Sequence, residues 1–329
     1  MTTLTHDTGT RLASGTGFAL LSAISFGLSG ALARGLMDAG WSAGSAVTVR
    51  VLGGAFVLAV PAVAVLRGRW ALLWRSRGLV VGYGVLAVSV TQLCYFYAVA
   101  EISVSVALLL EYTAPVAVVG WLWATRGHRP SRLTVAGAVL AAAGLVLVLD
   151  LVSGADVNLA GVLWSLGAMV GAAAYFLLSA DDGAPLPPLV LAASGLLVGG
   201  LVLSSAGALG VLPMRWSTRP VTYAVGTVPW WLPLLALALV TAALSYTTGI
   251  AAVRRLGSRL ASFVALTEVL AALLAAWWLL HELPGLVQLA GGLLIVAGVV
   301  VVKLGERGIA PAAAPVPETG GEPAPALGG

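Results

Sequence analysis

The chain has 329 residues, 60% of them apolar and 9% charged, with a mean hydropathy of +1.02 and a formal net charge of +4. Soluble domains carry about 25% charged residues to cover a wet surface, so this composition excludes a water-soluble globule and makes lipid the main solvent. Lys and Arg punctuate apolar runs instead of clustering on a polar domain, which argues against nucleic acid as a partner, and the lone Cys94 can form neither an intrachain disulfide nor a Cys-based metal cluster.

Crossing a hydrocarbon core of about 30 Å takes roughly 20 apolar residues at the helical rise. After a tail over residues 1–12, ten segments meet that length in chain order. They run from Ala13 to Ala33, Ala43 to Leu66, Gly78 to Ala100, Ile102 to Thr125, Leu133 to Leu149, Val157 to Ala180, Leu189 to Leu209, Trp231 to Val253, Leu260 to Leu280 and Leu283 to Val302. The first has a rival reading as a signal peptide, with Arg11 ahead of the apolar stretch and Ala31-Leu32-Ala33 as a small-x-small site. Its uncharged run is longer than a typical signal core. Beyond residue 303 the chain turns rich in Pro, Ala and Gly, so residues 304–329 read as a disordered tail.

Short loops rich in Lys and Arg stay in the cytoplasm. One set of alternate loops holds Arg11, Arg67, Arg69, Arg75, Arg77, Arg126, Arg129, Arg132, Arg254, Arg255, Arg259, Lys303 and Arg307, and the other holds Arg34, Arg215 and Arg219. Thirteen against three puts both termini in the cytoplasm and requires an even number of spans. One inner loop, with Asp181 and Asp182, is neutral in this test.

Self-comparison aligns the fourth and fifth segments with the ninth and tenth. Glu111 matches Glu268, Trp121 matches Trp278, Ala136-Gly137 matches Ala290-Gly291, and Ala143-Gly144 matches Ala297-Gly298. Residues 13–150 and 151–303 are then two halves of five spans each. An odd number of spans per half turns the second upside down, so the expected fold is an all-α membrane protein of ten helices in two inverted repeats. Such repeats place a substrate site near the midplane and work by rocking one half against the other.

The stretch Leu110-Glu111-Tyr112-Thr113-Ala114-Pro115, and Leu279-Leu280-His281-Glu282-Leu283-Pro284 followed by Gly291 and Gly298, resemble the drug/metabolite transporter superfamily, EamA type. The likeness covers about residues 15 to 303. The Leu-Glu-Tyr-Thr-Ala-Pro stretch is most similar to the threonine/homoserine exporter branch. That resemblance implies a proton-linked exporter of small amino acids in the plasma membrane, with no cofactor. Many relatives carry a Gly-Glu pair after the fourth helix as well as the ninth. Here the fourth ends Ala124-Thr125-Arg126-Gly127-His128, and His281 stands where Gly is usual.

An ionised side chain at the bilayer centre costs about 2.5 to 3.5 kcal/mol, so its presence calls for a compensating role. Arg50 in the second segment, Glu111 in the fourth and Glu268 in the ninth qualify. Ala261, Ala265, Ala272 and Ala275 recur at spacings of three and four around Glu268, giving its helix a small-residue face that turns the carboxylate into the bundle. Withdrawal from water favours the protonated form of a carboxyl, which suits Glu111 and Glu268 to proton coupling. Either, ionised, can hold the ammonium of an amino acid, and Arg50 can take its carboxylate in a bidentate contact. A structural salt bridge among the three is the competing reading.

Gln92, Tyr95, Tyr97, Tyr112, Tyr175 and Tyr246 could line the pocket, although membrane tyrosines more often anchor or join helices. Pro115 can free a backbone carbonyl and bend the fourth helix beside Glu111. Trp41, Trp230 and Trp231 read as interface anchors, His128 and His281 as solvated loop residues, and Glu282 as a loop-shaping one. No Ser/His/Asp set, metal-ligand cluster or phosphate-cradling Gly loop is legible, which disfavours an enzyme. Nor is an ATP-binding domain, so uphill transport would draw on an ion gradient, at about 2.3 kcal/mol per charge per 100 mV. Within transporters, a cationic drug or another metabolite is the alternative cargo: carboxylates and aromatics alone suit a cation, and use of Arg50 suits a zwitterion or anion. The small molecule, protons and the bilayer are the partners expected. Oligomeric state is not legible.

Overall fold

In a hydrocarbon solvent every backbone N–H and C=O must find a partner within the chain, which leaves helices as the only economical form for such apolar sequence. The computed structural model describes residues 2–114, 131–148, 158–179, 186–265, 267–283 and 285–306, and nearly all of them are helical. The helices are α1 (Thr2–Asp38), α2 (Ala43–Leu66), α3 (Trp70–Arg75), α4 (Arg77–Gly82), α5 (Thr91–Glu101), α6 (Val104–Glu111), α7 (Arg132–Val148), α8 (Leu159–Ser179), α9 (Pro188–Ala208), α10 (Trp231–Ala238), α11 (Ser245–Val264), α12 (Thr267–Leu280) and α13 (Leu286–Glu306). Among the described residues, six stretches are long and apolar enough to cross a membrane: Ala13–Asp38, Ala43–Leu66, Arg77–Glu101, Leu159–Ser179, Pro188–Ala208 and Trp231–Leu256.

Several boundaries differ from the sequence expectation. The N-terminal segment is helical from Thr2 and continues without a break into the first span, which begins at Ala13. The loop expected near residues 254–259 is also helical, because α11 runs through it to Val264; the chain breaks at Ala265 and helix resumes at Thr267. Glu268 therefore stands in the first turn of α12 instead of mid-span. The fourth segment stops being regular helix just after Glu111: Tyr112 and Thr113 form a turn in which Thr113 N–H and Oγ1–H both donate to the Leu110 carbonyl. Four residues on, Pro115 has no N–H to offer the Glu111 carbonyl. Pro115 itself, with Trp121, His128, Asp181, Asp182 and the tail beyond residue 306, lies outside the described residues.

Between α4 and α5, and again between α10 and α11, the winding widens to a π-helix, over Tyr83–Val90 and Leu239–Leu244. Side chains fill in where the ladder is disturbed. Ser89 Oγ donates to Gly84 O (2.9 Å), Tyr246 Oη to Ala87 O (3.1 Å) and Ser245 Oγ to Thr241 O (2.6 Å).

Helices pack where side chains are small, because dispersion between closely approaching backbones replaces the hydrophobic drive that lipid cannot supply. A Cβ on Gly144 would lie 2.7 Å from Ile295 N, and one on Gly298 would lie 2.6 Å from both Ala141 N and Gly137 O. These contacts join α7 and α13. Elsewhere α2 packs on α9, α1 on α11 and α12, and α5 on α8.

One end of the bundle is closed by residues 210–230. A two-stranded hairpin, β1 (Val221–Tyr223) with β2 (Gly226–Val228), turns at Ala224 and Val225 and re-enters the pairing at Gly226, whose φ of +137° few side chains tolerate. Tyr223 Oη donates to Leu32 O on α1 (3.0 Å), and Ala224 N–H donates to Leu279 O at the end of α12 (2.7 Å). Trp41, expected to be an interface anchor, is buried beneath this loop: it donates through Nε1 to Ser217 O (2.8 Å) and meets the rings of Trp216 and Trp230. Trp231 is half exposed, as an anchor would be.

Candidate functional site

A cavity of about 80 Å³ opens among α1, the third span, α6, α8, α11 and α12. Its polar wall is Glu111, Tyr112, Glu268 and Gln92; its aromatic wall is Phe26, Tyr175, Phe176 and Tyr246. Both glutamates, from the matched motifs of the two halves, thus reach one chamber. Each sits at a helix discontinuity, Glu111 as the last residue of α6 and Glu268 as the second of α12. Small residues open the space, including Ala19 and Ala23 on α1, Gly249 and Ala252 on α11, and Ala261 and Ala265 before the break.

Tyr112 Oη donates to Glu268 Oε2 at 2.6 Å, so the residue that follows one carboxylate holds the other. This bond couples the ends of α6 and α12 directly. Tyr175 Oη is buried in the cavity wall with no hydrogen-bond partner among the described residues. It is a polar atom enclosed beside the cavity with its hydrogen-bonding capacity unspent.

Arg50 is fully buried and does not reach the cavity surface. One guanidinium nitrogen donates to Gln92 Oε1 and the other to the Thr241 carbonyl in the π-helical turn, while the charge faces the rings of Phe26 (5.9 Å) and Phe96 (5.5 Å). Each terminal nitrogen of Arg50 thus makes one hydrogen bond inside the protein, where a bidentate contact to a substrate was expected. No carboxylate pairs with Arg50 either, so the competing structural salt bridge is absent among the described residues. What Arg50 does is orient Gln92: with the amide oxygen turned to the guanidinium, the amide N–H₂ is the end left for other partners.

Of the remaining expected lining residues, Tyr246 and Tyr175 belong to the wall, whereas Tyr95 is buried against Gly30 and Tyr97 stacks on Trp164 (4.8 Å), both off the cavity. His281 is exposed with φ of +54°, and Glu282 Oε2 accepts from Val104 N–H (3.4 Å), capping α6 as a loop-shaping residue would. Phe26 and Thr91 line the cavity without having been singled out. Ser22, Ser25, Phe26 and Ser29 recur at spacings of three and four on α1, a polar stripe in an apolar span that was a readable signal.

A helical membrane bundle with a carboxylate-bearing chamber between two sequence repeats defines a membrane transport protein. The EamA-like transporter family matches residues 13–150 and again 159–304, and the chain belongs to that family. Its members are membrane transporters of small solutes and not enzymes. Comparison with curated proteins finds no match. A solved structure titled only as a crystal structure of a protein is similar, with a TM-score of 0.61 and 21% identity over 88% of this chain and 96% of that one; at this identity the likeness concerns the fold.

Proposed function

We propose that the chain is a proton-coupled secondary transporter that exports a small ammonium-bearing metabolite, an amino acid of the threonine/homoserine type, across the plasma membrane. The carrying observation is that Glu111 and Glu268, equivalent in the two repeats, line one cavity. In the proposed cycle either carboxyl exchanges a proton for the solute's ammonium, so the same site cannot carry both at once. The solute's carboxylate accepts from the Gln92 amide and the Tyr175 hydroxyl, with the Arg50 charge behind Gln92. A chamber of about 80 Å³ is well below the few hundred Å³ of a drug-sized ligand's pocket, so a few-carbon solute suits it better.

The reading includes ten spans in two inverted halves, residues 13–150 and 151–303, with both termini cytoplasmic. Reciprocal packing supports the inversion. Gly144 meets Ile295 while Gly298, its counterpart, meets Ala141, the counterpart of Ile295. Contacts of this form belong to a two-fold axis. In the same frame the cavity lies toward the end carrying the basic loops, and the hairpin at residues 210–230 seals the other, giving an inward-open state.

The test is efflux and proton release in vesicles. Glu111→Gln and Glu268→Gln, each inserted normally, are expected to bring coupled transport down to the vesicle background; unchanged coupled transport in both ends the proposal. A second reading, a cation lacking a carboxylate, is favoured by the engagement of Arg50 away from the cavity and by the rings of Phe26, Tyr175 and Tyr246. Competition by amino acids against small quaternary amines separates the two.

A further inference from the structure

On the outside of the bundle, away from the carboxylate chamber, a furrow of about 470 Å³ runs between α2 and α9. Alanines floor it, Ala55, Ala59 and Ala62 on α2 and Ala193 on α9, and Phe56, 82% exposed, stands at its side. The one polar residue in the wall, Ser194, spends its hydroxyl on the Val190 carbonyl (2.7 Å). Nothing in the furrow would hold a polar solute, and a flexible hydrocarbon chain matches it.

Its end is different. At Leu66 the chain leaves α2 through Arg67, held at φ of +43°, and Gly68 at φ of +81°, and this reversal lays the short helix α3 across the furrow so that Trp70 and Leu73 complete its wall. A left-handed arginine is an uncommon arrangement, tolerated here where the surrounding structure imposes it. Arg67 and Arg69 flank Leu66 and Trp70, and Arg75 and Arg77 follow, all four exposed and none ion-paired among the described residues. From residue 39 to residue 100 the sequence has no Asp or Glu. A dry slot for a chain thus opens onto uncompensated positive charge.

We propose that this furrow is a binding site for an anionic phospholipid, one acyl chain lying between α2 and α9 and the phosphate held by Arg67 and Arg69. A neutral lipid has the chain without the charge, and inorganic phosphate the charge without the chain; only the anionic lipid matches both parts.

The test is lipid titration of the purified full chain in detergent, read by thermal unfolding, using phosphatidylglycerol and phosphatidylcholine with identical acyl chains, and inorganic phosphate. Phosphatidylglycerol is expected to raise the melting temperature at lower concentration than phosphatidylcholine. The double variant Arg67→Gln, Arg69→Gln should weaken phosphatidylglycerol binding by about twenty-five-fold, from roughly fivefold per arginine near a phosphate. Ala59→Phe, which fills the furrow from an exposed position, should weaken both lipids alike. Equal response to the two lipids, a preference that survives loss of the arginines, a shift reproduced by phosphate alone, or crosslinking that finds a second copy of the chain seated in the furrow would each overturn the proposal.

Discussion

At the scale of single residues, the least replaceable interior group outside the cavity surface is Arg50. Its removal leaves the Gln92 amide oxygen without its donor in a dry environment, at about 1–3 kcal/mol for a buried group left unsatisfied, while the Thr241 carbonyl keeps only the Ser245 hydroxyl. Arg50→Met is therefore expected to lower the thermal unfolding temperature clearly, and Arg50→Lys to recover only part, since one ammonium cannot reproduce two divergent donors. If Arg50→Met melts as the wild type does, the guanidinium is not structural. Tyr223, outside the spans, offers a pH test. Burial, with the Asp38 charge adding to it, pushes its hydroxyl above the ordinary 10.0. The folded state then favours the neutral phenol, so its contribution is intact below about pH 10 and lost as the pH climbs above that value. Wild type should lose more stability between about pH 9 and about pH 11 than Tyr223→Phe, which has nothing there to ionise.

At the scale of elements, the α7–α13 pair depends on glycine. A leucine at 298 must displace the backbone of α7, where Ala141 N lies 2.6 Å from the added Cβ; Gly298→Leu should cost about 1–3 kcal/mol or more and lower the yield of folded protein. Gly17, where a Cβ meets nothing within 4 Å, is the matched control, and Gly17→Ala should leave folding unchanged. The α6–α12 junction depends instead on one hydrogen bond. Tyr112→Phe removes the donor to Glu268 while keeping the ring, so efflux should fall several-fold with insertion and melting temperature nearly intact. An equal loss of stability would make Tyr112 a structural residue.

For the whole molecule, the arrangement of closed hairpin end and open chamber predicts one-sided access. Ala265 lines the chamber while the native Cys94 is buried, so Ala265→Cys provides a reporter over a low background. In sealed vesicles of known orientation it should react with a charged, impermeant thiol reagent from the side of the basic loops and not from the hairpin side. Labelling from the hairpin side alone would reverse the proposed state. The two π-helical stretches, one between α4 and α5 and one between α10 and α11, are also among the most enclosed parts of the fold, and their carbonyls accept from the other half: Tyr246 bonds Ala87, and Arg50 bonds Thr241.

Composition and apolar run length determined the solvent, the helical class and the membrane-crossing stretches, because in lipid no other backbone form satisfies its own hydrogen bonds. The matched glutamates and glycines were legible too, since repeats and charges inside apolar runs are visible one residue at a time. Tertiary structure alone decided what those residues face. Sequence period could turn Glu268 inward but could not bring Tyr112 to it, nor reveal that Arg50 is spent on Gln92 and Thr241, because these partners lie 156, 42 and 191 positions apart in the chain. It also misplaced the helix break beside Glu268, putting a loop at residues 254–259 where charge suggested one. Arginines can lie along a continuing helix, here with Arg254 donating to the Leu186 carbonyl and Arg255 over the Phe18 ring, and only packing fixes where the chain turns.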